Sequence, residues 1–354
     1  MSKKIIVSGV LSISLFTVIA GVVTLFFQKS ISPEIENKTQ VVSHELINNG
    51  CLKDDEIAKY EIKEKGSYYG DAVITITKKD NNEKRTILIK DTRTSYHPVE
   101  IHHCGTYLIR EFGVDYKKSE FLEGFNWTLW KYDYRGESIK LLTFAEKIDN
   151  NEPKIYYSTD FRVSTPEHHI ALIKGYGGSP DYSVVIKDLK TLGDAFVLPV
   201  ADILKQNPEV VGDVGFENGG WSSDGRYFWF TLNQLADIVG FVRVDSNDWS
   251  YKILPAPQRT MGGDAFNINT GMVTYGDNVA PWTGSEEIDQ QFKDEAVQNG
   301  QISSFYIYNL FSKQKYLVAT TTDPTYFFKP FWVSDTGLQY ELPDGGKRVY
   351  KIKG

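Results

Sequence analysis

One pattern returns five times along this chain: an alternating strand, an Asp or Asn, a polar turn and a second short apolar strand. It first runs from Ile74-Thr-Ile-Thr-Lys-Lys-Asp80 to Thr86-Ile-Leu-Ile, and next from Leu129-Trp-Lys-Tyr-Asp133 to Ile139-Lys-Leu-Leu. Val184-Val-Ile-Lys-Asp188 leads to Ala195-Phe-Val-Leu, and Phe241-Val-Arg-Val-Asp245 to Tyr251-Lys-Ile-Leu. The fifth copy runs from Phe305-Tyr-Ile-Tyr-Asn309 to Tyr316-Leu-Val. The Asp/Asn positions lie 53, 55, 57 and 64 residues apart. Period-2 runs bounded by turn residues are strands, and self-similarity at a period near 50 means a repeated supersecondary unit.

A second signature lies upstream of most of these hairpins: a strand, a tight turn and an aromatic or aliphatic strand. Its copies are Val99-Glu-Ile-His-His-Cys104-Gly-Thr-Tyr107, Gly220-Trp-Ser-Ser-Asp224-Gly-Arg-Tyr227 and Phe331-Trp-Val-Ser-Asp335-Thr-Gly-Leu338. Asp-Gly supplies the positive φ that a tight hairpin turn requires. Two hairpins per unit make a four-stranded antiparallel sheet, and several such units in series describe a β-propeller. About six blades are expected, with five or seven as the alternatives if an irregular unit is misread. The first holds Tyr60–Lys63, Val73–Thr77 and Thr86–Ile89 as strands two to four. The last holds Phe328–Val333, Gly337–Leu342 and Val349–Ile352 as strands one to three, so closing the ring should bring the two together. A pair of β-sandwiches with coincident turn spacing is the alternative.

Trp221-Ser-Ser-Asp-Gly-Arg-Tyr227 resembles the W-S-P-D-G-[KR]-[YF] core of TolB-type propeller repeats, with Ser223 in place of the Pro. Trp332-Val-Ser-Asp-Thr-Gly-Leu338 and His103-Cys-Gly-Thr-Tyr107 are looser copies, and the pattern spans about residues 58–353. The resemblance implies a fold and no activity. Such repeats occur in binding proteins, in periplasmic transport-linked proteins and as propeller domains of peptidases.

Ahead of the repeats, Ile5 to Phe27 carries no charge. At ~1.5 Å per residue this run is about 34 Å long as a helix, enough to cross a hydrocarbon core of ~30 Å. Lys3 and Lys4 precede it and the first acid is Glu34, so residues 1–4 are expected in the cytoplasm and the main domain outside. Residues 5–27 are then a transmembrane signal-anchor, 28–50 a polar stalk and 51–354 an extracytoplasmic domain. The competing reading is a signal peptide cleaved after Val18-Ile19-Ala20; it leaves the domain outside the cytoplasm too.

Lys3, Lys4 and Lys29 fall in the first thirty residues, so the remainder carries 36 basic and 46 acidic residues, net −10. An acidic domain lacks the clustered Lys and Arg that nucleic-acid binding needs. The aromatic content of 14% (21 Tyr, 20 Phe, 7 Trp) suits pleated, half-buried surfaces. Cys51 and Cys104 are the two cysteines. In an oxidising compartment an even count favours a disulfide; free thiols or a zinc ligand pair are the alternatives.

Chemical motifs are sparse. His97-Pro-Val-Glu100-Ile-His102-His103-Cys104 is the one dense cluster of ligand types, but adjacent strand residues point to opposite faces. Gly178-Ser179-Pro180-Asp181 lacks the second Gly of a nucleophile elbow, and Gly175-Tyr-Gly-Gly178 lacks the Lys-Ser/Thr of a phosphate loop. No catalytic residue, metal or cofactor is therefore expected. The most suggestive segment is the insertion Tyr275–Gln301 between strands two and three of the fifth unit. It contains Pro281-Trp282 and a short amphipathic helix with Ile288, Phe292 and Ala296 one turn apart. Tyr116–Phe125 and Gly175–Ser179 occupy the equivalent connection in the second and third units. Trp282, Phe121, Phe125 and Tyr176 are accordingly the candidate ligand-binding residues, sharing one face of the ring. The alternative is that these aromatics cap the ring's own core. The expected function is a membrane-anchored, non-catalytic module binding a protein, peptide or envelope polymer. The alternatives are an envelope glycan-processing enzyme with carboxylates in the central channel and a purely structural ectodomain.

Overall fold

Antiparallel strands account for almost all of the regular structure. The structure is a computed structural model that describes residues 50–64, 70–92, 97–115, 120–147, 153–175, 179, 181–206, 213–234, 237–260, 265–277 and 286–352. The expected anchor and stalk, apart from Gly50, lie outside these residues, and no helix among those described is long and apolar enough to cross a membrane.

The strands form consecutive meanders. The first is β1 (Glu56–Glu64), β2 (Gly70–Lys78) and β3 (Lys84–Thr92). The second is β4 (Val99–His102), β5 (Gly105–Asp115), β6 (Glu120–Tyr132) and β7 (Ser138–Lys147), with the short β8 (Pro153–Ile155) on its edge. The third is β9 (Tyr157–Val163), β10 (His169–Lys174), β11 (Ser183–Asp188) and β12 (Asp194–Pro199), followed by α1 (Val200–Gln206). The next sheet has eight strands. Its first half is β13 (Asp213–Trp221), β14 (Tyr227–Gln234), β15 (Asp237–Asp245) and β16 (Tyr251–Thr260). Its second half is β17 (Phe266–Asn267), β18 (Met272–Gly276), β19 (Ser303–Asn309) and β20 (Lys315–Thr321), with α2 (Glu286–Gln298) between β18 and β19. The pair Thr260↔Tyr275 links the halves, so they are a fourth and a fifth unit. β21 (Phe331–Ser334), β22 (Gly337–Glu341) and β23 (Lys347–Lys351) make the sixth.

These units stack in sequence order, because alternate side chains of each inner strand enter different cores. Leu108 packs on Ala72, Ile74 and Ile76 of the first unit, while its neighbours Tyr107 and Ile109 pack on Phe161, Ile170 and Leu172 of the third. Ala171 and Ile173 turn the other way, onto Phe216, Phe228 and Phe230 of the fourth. Trp229, between those phenylalanines, joins Val273 and Leu310 of the fifth. Phe305 and Ile307 then meet Phe328 and Leu338. Covered on both faces, a central strand such as β10 carries an unbroken apolar run, Ile170 to Ile173, although its sheet is antiparallel. Each fully buried Phe contributes about 1.5–3 kcal/mol of transfer free energy to this stacking. Serial stacking excludes paired sandwiches for the described residues. No ladder among them joins the first unit to the sixth.

The repeated Asp/Asn is a turn device. Asp188 Oδ1 accepts the Lys190 and Thr191 amides at 2.9 and 2.7 Å, and Asn309 Oδ1 accepts those of Phe311 and Ser312, both at 2.9 Å. Each turn closes with the residue four positions later in the left-handed region: Leu192 (φ 56°), Trp249 (58°) and Lys313 (59°). In the first unit that residue is Asn82 (57°), bonded to the Lys78 carbonyl at 3.1 Å. The structural equivalent is therefore Lys78, two residues before Asp80. The Asp133 turn is one residue shorter: its amide reaches the Glu137 carbonyl, four residues on instead of five.

Candidate functional site

A meander sends its strand 1–2 and 3–4 turns to one rim and its strand 2–3 and 4–1 connections to the other. On the first rim, side chains tie each unit to the next. The Cys51–Cys104 disulfide joins the first unit's lead-in to the second unit. Glu167, buried in the β9–β10 turn, accepts the Cys104 amide, the Tyr107 hydroxyl at 2.6 Å and the Lys131 ammonium at 2.9 Å. Burial, and then the Glu167 carboxylate, push the Tyr107 hydroxyl well above its ordinary pKa. The Trp221 indole donates to the Arg162 carbonyl of the third unit at 3.1 Å, and Trp332 donates to Ala265 at the same distance. Asn269 accepts the Ser223 amide and donates to Asp335, both at 2.9 Å. These polar groups hold adjacent units together.

In the sharpest repeat, Asp224 accepts the Ser222 hydroxyl at 2.5 Å and the Arg226 amide at 3.0 Å. The first of these, then the second, hold its carboxyl below the usual range. Arg226 bridges to Asp245 at 2.8 Å, tying the two turns of the unit together and lowering the Asp245 pKa. Gly225 (φ 70°) lies against the Thr165 carbonyl of the third unit, where an added Cβ would stand 1.8 Å away.

The opposite rim carries the insertion, and its neck is pinned. The Asp277 amide donates to the Ser304 carbonyl at 3.1 Å, and the Ser304 amide donates back to the Asp277 carboxylate at 2.5 Å. Tyr275 and Tyr306 stack at 5.1 Å below it, with the Lys315 ammonium 3.6 Å from the Tyr306 ring. Beyond the neck, α2 begins with Glu286, Glu287 and Asp289, which suit a helix N-terminus, and ends on Gly300 (φ 65°), whose amide caps the Val297 carbonyl at 3.0 Å. Ala296 is buried, yet Ile288 and Phe292 are 46% and 45% exposed, with Val297 and Ile302 also exposed. The helix therefore turns Ile288 and Phe292, one turn apart, towards solvent.

The sequence candidates fare unevenly. Trp282 and Tyr176 lie outside the described residues. Phe121 and Phe125 belong to β6, not to a loop, because that strand already begins at Glu120. Phe125 is 2% exposed and packs with Val114, Ala145 and Trp127, so its ring serves the core. Within the insertion, Ile288 and Phe292 are among the exposed large apolar residues. Their spacing was visible in the sequence, but which way the stripe faces was not. The predicted disulfide is present.

The histidine cluster disperses. His97 bonds Glu111, and His102 bonds Glu100 at 3.0 Å. Glu100 also accepts the Val163 amide at 2.6 Å. Arg162 lies 3.9 Å from Glu100 and 2.8 Å from Asp160 and donates to the Phe216 carbonyl at 2.8 Å. These carboxylates, on the first strands of the second and third units, flank one guanidinium. His103 remains beside Cys51 and Cys104, with ligand-type atoms of all three within 4.8 Å of one another.

No family model and no curated protein matches the chain. Among solved structures it is similar to TolB from Acinetobacter baumannii (13% identity, TM-score 0.37, 85% of this chain and 65% of that one). It is also similar to an oligogalacturonate lyase from Vibrio parahaemolyticus (12%, 0.46, 85% and 77%). A third likeness is to the β-propeller domain of the Trilobed protease from Pyrococcus furiosus (12%, 0.44, 86% and 81%). The chain thus spans less than two thirds of that TolB. At this level the likenesses say nothing of activity.

Proposed function

We propose that this chain is a membrane-anchored, extracytoplasmic six-bladed β-propeller that captures a protein, peptide or envelope polymer on its insertion-bearing rim, without catalysis. The propeller reading is supported by six meanders stacked in sequence order, with three-stranded units at the two ends. The anchor reading rests on the uncharged run Ile5–Phe27 behind Lys3 and Lys4. The observation that carries the binding reading is α2, a capped helix on a pinned neck that exposes Ile288 and Phe292. Exposed apolar side chains grouped on a presented element mark interaction sites, and Trp282 lies in the same insertion. The glycan-processing alternative finds less support. Glu100 and Asp160 both engage Arg162, so these carboxylates are occupied by an ion-pair partner within the fold.

The test is capture from envelope extract by the detergent-solubilised chain, comparing wild type with Phe292→Asp and Trp282→Ala. Loss of the same captured species in both variants, with thermal unfolding unchanged, is expected. Undiminished capture by both variants contradicts the reading.

A further inference from the structure

We propose that the Cys51–Cys104 bridge gates a metal site: once reduced, the two thiolates and the His103 imidazole hold one soft divalent cation of the zinc class. The ligand-type atoms of the three side chains already lie within 4.8 Å of one another. Ligands of a tetrahedral site with bonds of about 2.0–2.3 Å stand roughly 3.3–3.8 Å apart, so all three reach one ion once the bonded sulfurs part. Two thiolates and an imidazole select zinc-like ions over hard cations such as calcium or magnesium. His103 is exposed and both cysteines are half-buried, so reductant, ion and a water as fourth ligand all have access.

The ligands do not depend on the sulfur–sulfur bond for their placement. The Leu52 amide donates to the His103 carbonyl at 2.8 Å and the Tyr134 amide to the Gly50 carbonyl at 2.9 Å, which holds the lead-in segment carrying Cys51. Glu167 accepts the Cys104 amide, and the Tyr134 hydroxyl donates to the His102 carbonyl at 2.5 Å. Those bonds hold the β4–β5 turn from two other directions. Breaking the bridge therefore leaves two thiols beside an imidazole. In the reduction, the disulfide takes two electrons and two protons from a dithiol, which leaves as its own disulfide. Metal binding then displaces the two thiol protons to solvent.

Cobalt(II) titration of the full chain, with and without prior phosphine reduction, tests this. The reduced protein should bind one Co2+ per chain with a thiolate-to-cobalt charge-transfer band, and Zn2+ should bleach it. The oxidised protein and the Cys51→Ser/Cys104→Ser double variant should show no band. His103→Ala should weaken binding at least tenfold while leaving two titratable thiols. Equal Co2+ binding by reduced wild type and the double variant overturns the proposal, as does unchanged affinity in His103→Ala. Loss of the β-sheet circular dichroism on reduction also overturns it, because the ligands would then not be held in place.

Discussion

Replacing Gly225 by Ala should cost far more than the same change at Gly345, although both glycines sit in the left-handed region, at φ 70° and 78°. That conformation costs an L-residue about 1–2 kcal/mol at either site. At Gly345 an added Cβ meets nothing within 4 Å, so this backbone cost is the whole effect. At Gly225 the Cβ would stand 1.8 Å from the Thr165 carbonyl oxygen and 2.9 Å from its carbon. Both are backbone atoms, so no side chain can swing aside and the third and fourth units must separate locally. Overpacking of that kind adds about 1–3 kcal/mol, giving roughly 2–5 kcal/mol in all. The Trp221 indole bond to the Arg162 carbonyl is strained by the same movement. Urea unfolding of both variants, with free energies compared at unchanged slope, measures the difference. Equal destabilisation at the two positions would refute the claim that adjacent units interlock through this rim.

Three further outcomes follow from the same geometry. His169 stacks on Trp221 at 5.7 Å and meets Trp249 edge-on at 5.2 Å; burial lowers its pKa, Asp188 opposes that and His168 adds to it. The folded state thus favours the neutral ring, so its contribution is intact above the unfolded value of about 6.5 and stability falls as pH drops below it; His169→Gln should flatten that part of a stability–pH profile, and an unaltered slope would contradict the assignment. Removing the bridge with Cys51→Ser/Cys104→Ser opens a 53-residue separation and should cost about 4 kcal/mol in the chain-entropy model without unfolding the chain; an unchanged melting temperature would argue against a native bridge. A tag after Gly354 should be digested by external protease in intact cells or spheroplasts while a tag before Ser2 is protected, and the reverse pattern would invert the topology.

The units were legible because turn chemistry and strand alternation are local. Asp188 and Asn309 were found by spacing and prove to cap their own turns within three residues. Asp80 was misplaced by two because Lys78 does the same backbone job without a carboxylate, leaving no side-chain signal to read. The insertion and its helix were also legible, from the interruption between β18 and β19 and from the i, i+4 stripe. Exposure was not. Phe125 and Phe292 are both aromatic residues near strand 2–3 connections, yet one fills a core and the other faces solvent. That difference depends on where β6 begins and on which side of α2 is covered, both tertiary properties. The inter-unit belt through Glu167 and Asn269 was likewise hidden, since its partners lie 63 and 46 residues away in sequence.

The binding claim is tested most directly by photo-crosslinking in living cells, with a photoreactive residue placed at Phe292 or, on the opposite rim, at the exposed Asp248. A discrete crosslinked partner from position 292 and none from position 248 is the predicted result. No adduct at position 292, or the same adduct from both rims, would contradict a binding surface built on the insertion.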